Sequence, residues 1–201
     1  MNRKIGIIAS ALNLLSVLGF AASMLTGWLM GSYLSSIFIA FSFVAMMAAF
    51  AAGALPTAKA AGYSALAFGG MYAFCNIMVY FVQLTTVRLQ ALSPEAASLL
   101  NYPQFGLMFN LDLLGYCLMA VATFFAGLTV AVSTKADAWL KWLLLVHGVF
   151  AITCFVLPLL GLFHAGMQGG EWIGTAVLLF WCAYFTPIGV LSIRYFARQA
   201  H

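Results

Sequence analysis

Apolar residues run along this chain in six long stretches, at positions 5–28, 33–55, 62–84, 106–132, 139–163 and 172–195, separated by short polar or turn-forming segments. Each approaches or exceeds the roughly 20 residues that a helix needs to cross a hydrocarbon core about 30 Å thick. Backbone N–H and C=O groups find no water there, so the helix, which pairs them internally, is the expected form. The pattern predicts one all-α domain over residues 1–201, a polytopic bundle of six transmembrane helices. The first stretch runs on behind Arg3 and Lys4 well past the about 7–15 residues of a signal-peptide core, so it is expected as a retained span.

The connections are short except for the segment 85–105, which separates the third and fourth stretches. Within it Ser93 stands at a helix N-cap, Pro94 at the first helical position and Glu95 in the first turn. A helix of about two turns is predicted here, closed by Asn101 and Pro103 and resting on the membrane interface through Leu92, Leu99 and Leu100. Such a segment serves either as a connector or as a lid over a cavity.

Charge orients the bundle. With both termini cytoplasmic, the inner segments hold Arg3, Lys4, Lys59, Lys135, Lys141, Arg194 and Arg198, and the outer segments hold Arg88 alone. That asymmetry satisfies the positive-inside rule. Trp28, Tyr33 and Trp172 fall at outer ends and Trp139 and Trp142 at an inner end, where aromatic belts are expected. Composition agrees: 65% of residues are apolar and 6% charged, too little charge to cover a soluble domain or to sustain disorder. The basic residues are scattered, not gathered on one face, so no nucleic-acid partner is expected. The bilayer is the expected partner, and a bacterial inner membrane the expected location.

Polar residues inside apolar runs carry the candidate chemistry, because they are costly there. Tyr72, Asn76, Tyr80 and Gln83 share one face of the third span at helical spacing, with Gly69 on the same face. Asp112 is the one carboxylate within a span, with Asn110 and Tyr116 nearby in sequence and Arg88 as its expected ion-pair partner. Asn76, Tyr80, Gln83, Arg88, Asn110, Asp112 and Tyr116 are thus the candidate ligand-binding set, with the 85–105 segment above them. His147 in the fifth span, and His164 and Glu171 beside the glycine-rich outer turn, are secondary candidates. His147, Ala151, Cys154 and Pro158 share a face if that span is one helix, and Pro187 is expected to kink the sixth, with Thr186 satisfying the freed carbonyl.

No metal is expected, since no histidine spacing offers converging ligands, and no cofactor motif or catalytic signature is present. Cys75, Cys117, Cys154 and Cys182 lie one per span and read as packing residues. Gly27 and Gly31 have the GxxxG spacing of a helix-packing face at the outer end of span one, which suits a second copy or a membrane partner. The expected function is small-molecule binding or transport in the outer half of the bundle. A membrane-embedded enzyme acting on a lipid-like substrate through His147 or Asp112, or an accessory subunit, are the alternatives.

The topology is testable by labelling, after replacing the four cysteines by alanine. Ser98→Cys is expected to react with a membrane-impermeant maleimide on intact cells, and Lys135→Cys only after permeabilisation. The opposite order would invert the bundle.

Overall fold

A computed structural model describes residues 1–164 and 170–199; the glycine-rich turn 165–169 and the side chain of Glu171 lie outside the described residues. The described chain is helical and without strands: α1 (Asn2–Leu25), α2 (Leu29–Gly53), α3 (Lys59–Val82), α4 (Pro94–Leu100), α5 (Leu107–Thr129), α6 (Lys135–His147), α7 (Phe150–Leu159) and α8 (Gly170–Arg198). Six crossings are long and apolar enough to span a bilayer, with α6 and α7 together making the fifth. This is an integral membrane protein. Its large apolar side chains face outward in numbers no water-exposed surface carries, among them Leu15, Phe41, Phe74 and Phe81. Trp28, Trp139, Trp142 and Trp172 are exposed at the ends of the crossings, as belt residues are.

Consecutive crossings pack side by side, α1 on α2, α2 on α3, α3 on α5 and α5 on α6 and α7, and α8 closes the ring against α1 and α6. Small residues set the close approaches. A Cβ on Gly62 of α3 would lie 2.8 Å from the Ala51 backbone of α2, so the alanine-rich inner half of α2 is used within the chain. A Cβ on Gly6 would fall 2.5 Å from the Phe196 ring, holding α1 against α8. Lys59 donates to the Ala51 and Ala52 carbonyls at 3.2 Å each, occupying acceptors that the C-terminus of α2 leaves open.

Three sequence expectations change here. Gly27 does not share a helix face with Gly31. It sits in the turn between α1 and α2 at φ +67°, a left-handed position that suits glycine, while Gly31 lies inside α2 against Trp28 and Ser23. The glycine that was to extend span one in fact ends it. The fifth span is broken. Around Gly148 the amides of Gly148, Val149 and Ala151 bond to carbonyls three residues back, at 3.0–3.1 Å, and α7 ends at Leu159 beside Pro158. His147 and the trio Ala151, Cys154 and Pro158 therefore stand on separate helices, α6 and α7. In α8, Thr186 donates to the Cys182 carbonyl at 2.8 Å, not to the Ala183 carbonyl whose amide partner Pro187 removes. A threonine just before proline reaches its own i−4 carbonyl, one short of the vacated one.

The outer segment forms as expected, with Ser93 Oγ accepting from the Ala96 amide at 3.3 Å to cap α4. Gly106, just before α5, runs so close to the Ser98 carbonyl that no Cβ fits there. At the inner end Thr134 and Asp137 cap α6 reciprocally, and Asp137 Oδ2 accepts from Ser133 N, Thr134 N and Thr134 Oγ1. Arg198 of α8 pairs with Asp137 and also donates to Thr134, the one ion pair among the described residues. Asp137→Ala is expected to destabilise the protein by about 2–3 kcal/mol, because one buried carboxyl meets several donors. Arg198→Ala should cost less, about 1 kcal/mol or below, since the guanidinium is half exposed. Unfolding temperatures in detergent check the order; equal losses would contradict it.

Candidate functional site

The polar face of α3 turns into the bundle. Tyr72, Asn76, Tyr80, Gln83 and Gly69 are all buried, as a hydrophilic stripe in a span must be. Helix α5 runs antiparallel beside it. A Cβ on Gly115 would stand 3.2 Å from the Cys75 side chain and 3.7 Å from Tyr72, so the next turn outward on α5 brings Asp112 level with the turn from Asn76 to Tyr80.

Asp112 is completely buried, and its Oδ2 accepts two phenolic hydrogens, from Tyr80 at 3.0 Å and from Tyr102 at 3.1 Å. Among the described residues its Oδ1 has no hydrogen-bond partner, and neither amide atom of the neighbouring Asn76 has one. Tyr102 lies outside the crossings, in the 3-10 turn Tyr102–Gln104 that follows α4. Burial and then the Asp112 carboxyl push its phenol well above the ordinary tyrosine value, so it remains a donor near neutral pH.

Gln83 fastens the same turn from the other side. Its amide N donates to the Leu100 carbonyl at 2.8 Å, and its Oε1 accepts from the Tyr102 amide at 3.0 Å. It sits in a π-helical turn, Gln83–Val87, that continues α3, and π turns recur where a helix re-aims a side chain. The amide of Gln83 is thus committed to the outer segment.

Two sequence candidates stand elsewhere. Arg88 is exposed, and its Nε donates to the Leu84 carbonyl at 2.9 Å; the expected pair with Asp112 does not form. One turn beyond Gln83 and past the end of the crossing, its side chain reaches water in place of a sealed carboxylate. Asn110 is exposed because it lies two residues from Asp112, on the opposite side of α5. Tyr116 is half-buried, with its ring centroid 6.3 Å from Tyr72 and 5.9 Å from Trp181. His164 is exposed beyond α7, and Glu171 falls outside the described side chains.

His147 is buried, and both its ring nitrogens are engaged. The Trp181 indole N–H, which can only donate, points at Nε2 from 3.0 Å; Nδ1 lies 2.8 Å from Thr123 Oγ1, which itself bonds the Ala120 carbonyl at 2.8 Å. The proton of the ring therefore sits on Nδ1, and the chain from Trp181 to Ala120 ties α8, α6 and α5 at the break. No nitrogen of this histidine is left for acid–base work.

Two chambers open around Tyr102. One, about 330 Å³, lies towards α1 and α2, with Tyr33, Tyr80, Tyr102, Phe20 and Phe105 in its walls. The other, about 370 Å³, lies between α5, α7 and α8, with Leu113, Tyr116, Cys154, Val177 and Trp181 in its walls and His147 at its inner end. Tyr102, Phe109, Gly174 and Leu178 belong to both. The second chamber exists because α7 packs on α5 but meets α8 through Phe150, against Phe180 and Tyr184. No residue of α7 is fully buried.

Sequence reasoning missed Tyr33, Tyr102, Phe109 and Gly174. Tyr102 and Tyr33 were legible only as interfacial aromatics, and nothing in local spacing marks Gly174. Asn13, a buried asparagine in α1 bonded to the Ile39 carbonyl and Ser42 at 3.2 and 3.1 Å, was legible by the same rule that singled out Asn76. The chain matches no known protein family, no characterised protein and no solved structure.

Gln83→Ala is expected to free the turn at Tyr102. Hydrogen exchange of the Tyr102 amide should quicken about fivefold or more, corresponding to loss of a bond worth about 1 kcal/mol. Unchanged exchange there would mean that the outer segment is held by other contacts.

Proposed function

We propose that this membrane protein binds a small molecule, for sensing or transport, in the outer half of its bundle. The observation that carries this reading is the pair of chambers that meet at Tyr102, Phe109, Gly174 and Leu178. Each falls in the range of about 300–1,000 Å³ typical of ligand pockets, with mostly apolar walls and a few directed polar groups. Tyr80 and Tyr116 contact the ligand from the walls, and Asp112 acts through the two tyrosines it holds. Gln83 positions the outer segment, whose Tyr102, Pro103 and Phe105 form the wall nearest the outer surface. Asn76, with both amide atoms unpaired, is the nearest reserve of hydrogen-bonding capacity to Asp112. Arg88 and Asn110, exposed and outside both linings, are not part of the site's interior.

Gly174 makes the reading testable. No atom lies within 4 Å of where its Cβ would stand, so a side chain there enters the junction of the chambers without collision. Gly174→Leu also replaces a helical glycine, a change worth up to about 1 kcal/mol in favour of the helix. The full chain in lipid nanodiscs would be screened by thermal shift against a library of metabolites and lipid-like compounds. At least one compound is expected to stabilise it, and to bind Gly174→Leu about tenfold or more weakly, a loss of about 1.4 kcal/mol, while that variant unfolds no earlier than the parent. No stabilising compound, or equal binding by Gly174→Leu, would refute the proposal.

A further inference from the structure

We infer that the ligand is an organic cation with an apolar tail, its ammonium group against the tyrosine wall of the outer chamber and its tail between α5, α7 and α8. This rests on the reading just given and names the class of molecule.

Charge carries the first half. Behind the wall stands Asp112, bonded to the hydroxyls of Tyr80 and Tyr102, with its second oxygen unpartnered. The one ion pair among the described residues is at the other end of the molecule, between Arg198 and Asp137. A carboxyl sealed from water without a cation in contact is costly to ionise, and a cation bound on the other side of the tyrosine wall lowers that cost. Among the described residues, no lysine or arginine lines either chamber. The N-termini of α2, α5 and α8 and the C-termini of α1, α3 and α7 meet at this end of the bundle, so their dipoles offset one another and formal charge decides.

Ring geometry supports the same half. Tyr33 stands 5.4 Å from Tyr80, and Tyr80 6.0 Å from Tyr102, centroid to centroid, in one continuous aromatic wall. A cation within about 6 Å of a ring centroid is attracted by the ring's negative face. A phenol that donates its hydrogen to a carboxyl group has a more electron-rich ring, which strengthens that attraction.

Beyond the Tyr116 hydroxyl, the second chamber offers a polar group little. The nitrogens of His147 and the indole N–H of Trp181 are bonded to each other and to Thr123. Thr153 donates to the Phe150 carbonyl at 3.0 Å, and the Tyr102 hydroxyl to Asp112. With these polar atoms spent inside the protein, an alkyl chain is the complementary occupant. The shared wall then joins head and tail in one ligand.

The test titrates the full chain, in nanodiscs of zwitterionic phosphatidylcholine, with hexyltrimethylammonium, 1-hexanol and hexyl sulfate by calorimetry. Hexyltrimethylammonium is expected to bind about tenfold or more tightly than either other probe. Its affinity should fall about tenfold in Asp112→Asn and about fivefold in Tyr33→Leu, and stay within about twofold in Tyr33→Phe, which keeps the ring face. Equal binding of hexanol or hexyl sulfate would overturn the cation while leaving the chambers as a binding site. Binding of none of the three would overturn the cation too, and the library screen with Gly174→Leu then decides the broader reading by itself. Should Asp112→Asn fail to fold, the Tyr33 pair decides: equal affinities of the leucine and phenylalanine variants would refute the aromatic contact.

Discussion

Asp112 is where three parts of this chain are fastened together. One carboxylate oxygen receives hydrogens from α3, through Tyr80, and from the outer segment, through Tyr102, while the carboxyl itself belongs to α5. In water each of these groups would find solvent, and the net value of such a bond is modest. Between helices there is no such alternative, and leaving the carboxyl alone would cost far more than the bonds contribute. The position of the Tyr102 turn, and with it the walls of both chambers, follows from that constraint. Gln83 repeats the device one turn further out on the main chain of the same segment.

The architecture could be read from sequence because it depends on bulk hydropathy and charge. Six apolar stretches, one sided in their flanking lysines and arginines, determine six crossings almost regardless of how they pack. Helix α4 was equally legible, since Ser93, Pro94 and Glu95 act locally. The break in the fifth crossing was not, for Gly148 and Val149 sit in a run as apolar as any other, and the close approach of Gly148 to Phe124 of α5 is a tertiary contact.

The candidate site was legible only in part, and the residues show why. Helical spacing says that Asn76, Tyr80 and Gln83 share a face and that this face avoids lipid. It does not say whether the face meets open space or another helix. Of the three, Tyr80 lines a chamber, Gln83 holds the outer segment and Asn76 lies in the seam with α5. The pairing of Arg88 with Asp112 rested on both being at the outer end, which ignores that one is at a solvated helix terminus and the other sealed. Tyr102 escaped notice because it stands in a connection, where hydropathy carries no signal, yet it completes the carboxyl's partners.

The division of the fifth crossing has a consequence for how it is seated. At about 1.5 Å per residue, the 13 residues of α6 reach about 20 Å and the 10 of α7 about 15 Å, so neither half crosses an approximately 30 Å core by itself. Their junction accordingly lies inside the hydrocarbon core, six residues or about 9 Å beyond the interfacial Trp142. There the short-range amide bonds around Gly148 and the relay from Trp181 through His147 to Thr123 pair polar groups that the break would otherwise expose. The joint thus keeps its short-range bonds within the apolar layer, where water offers no substitute for them.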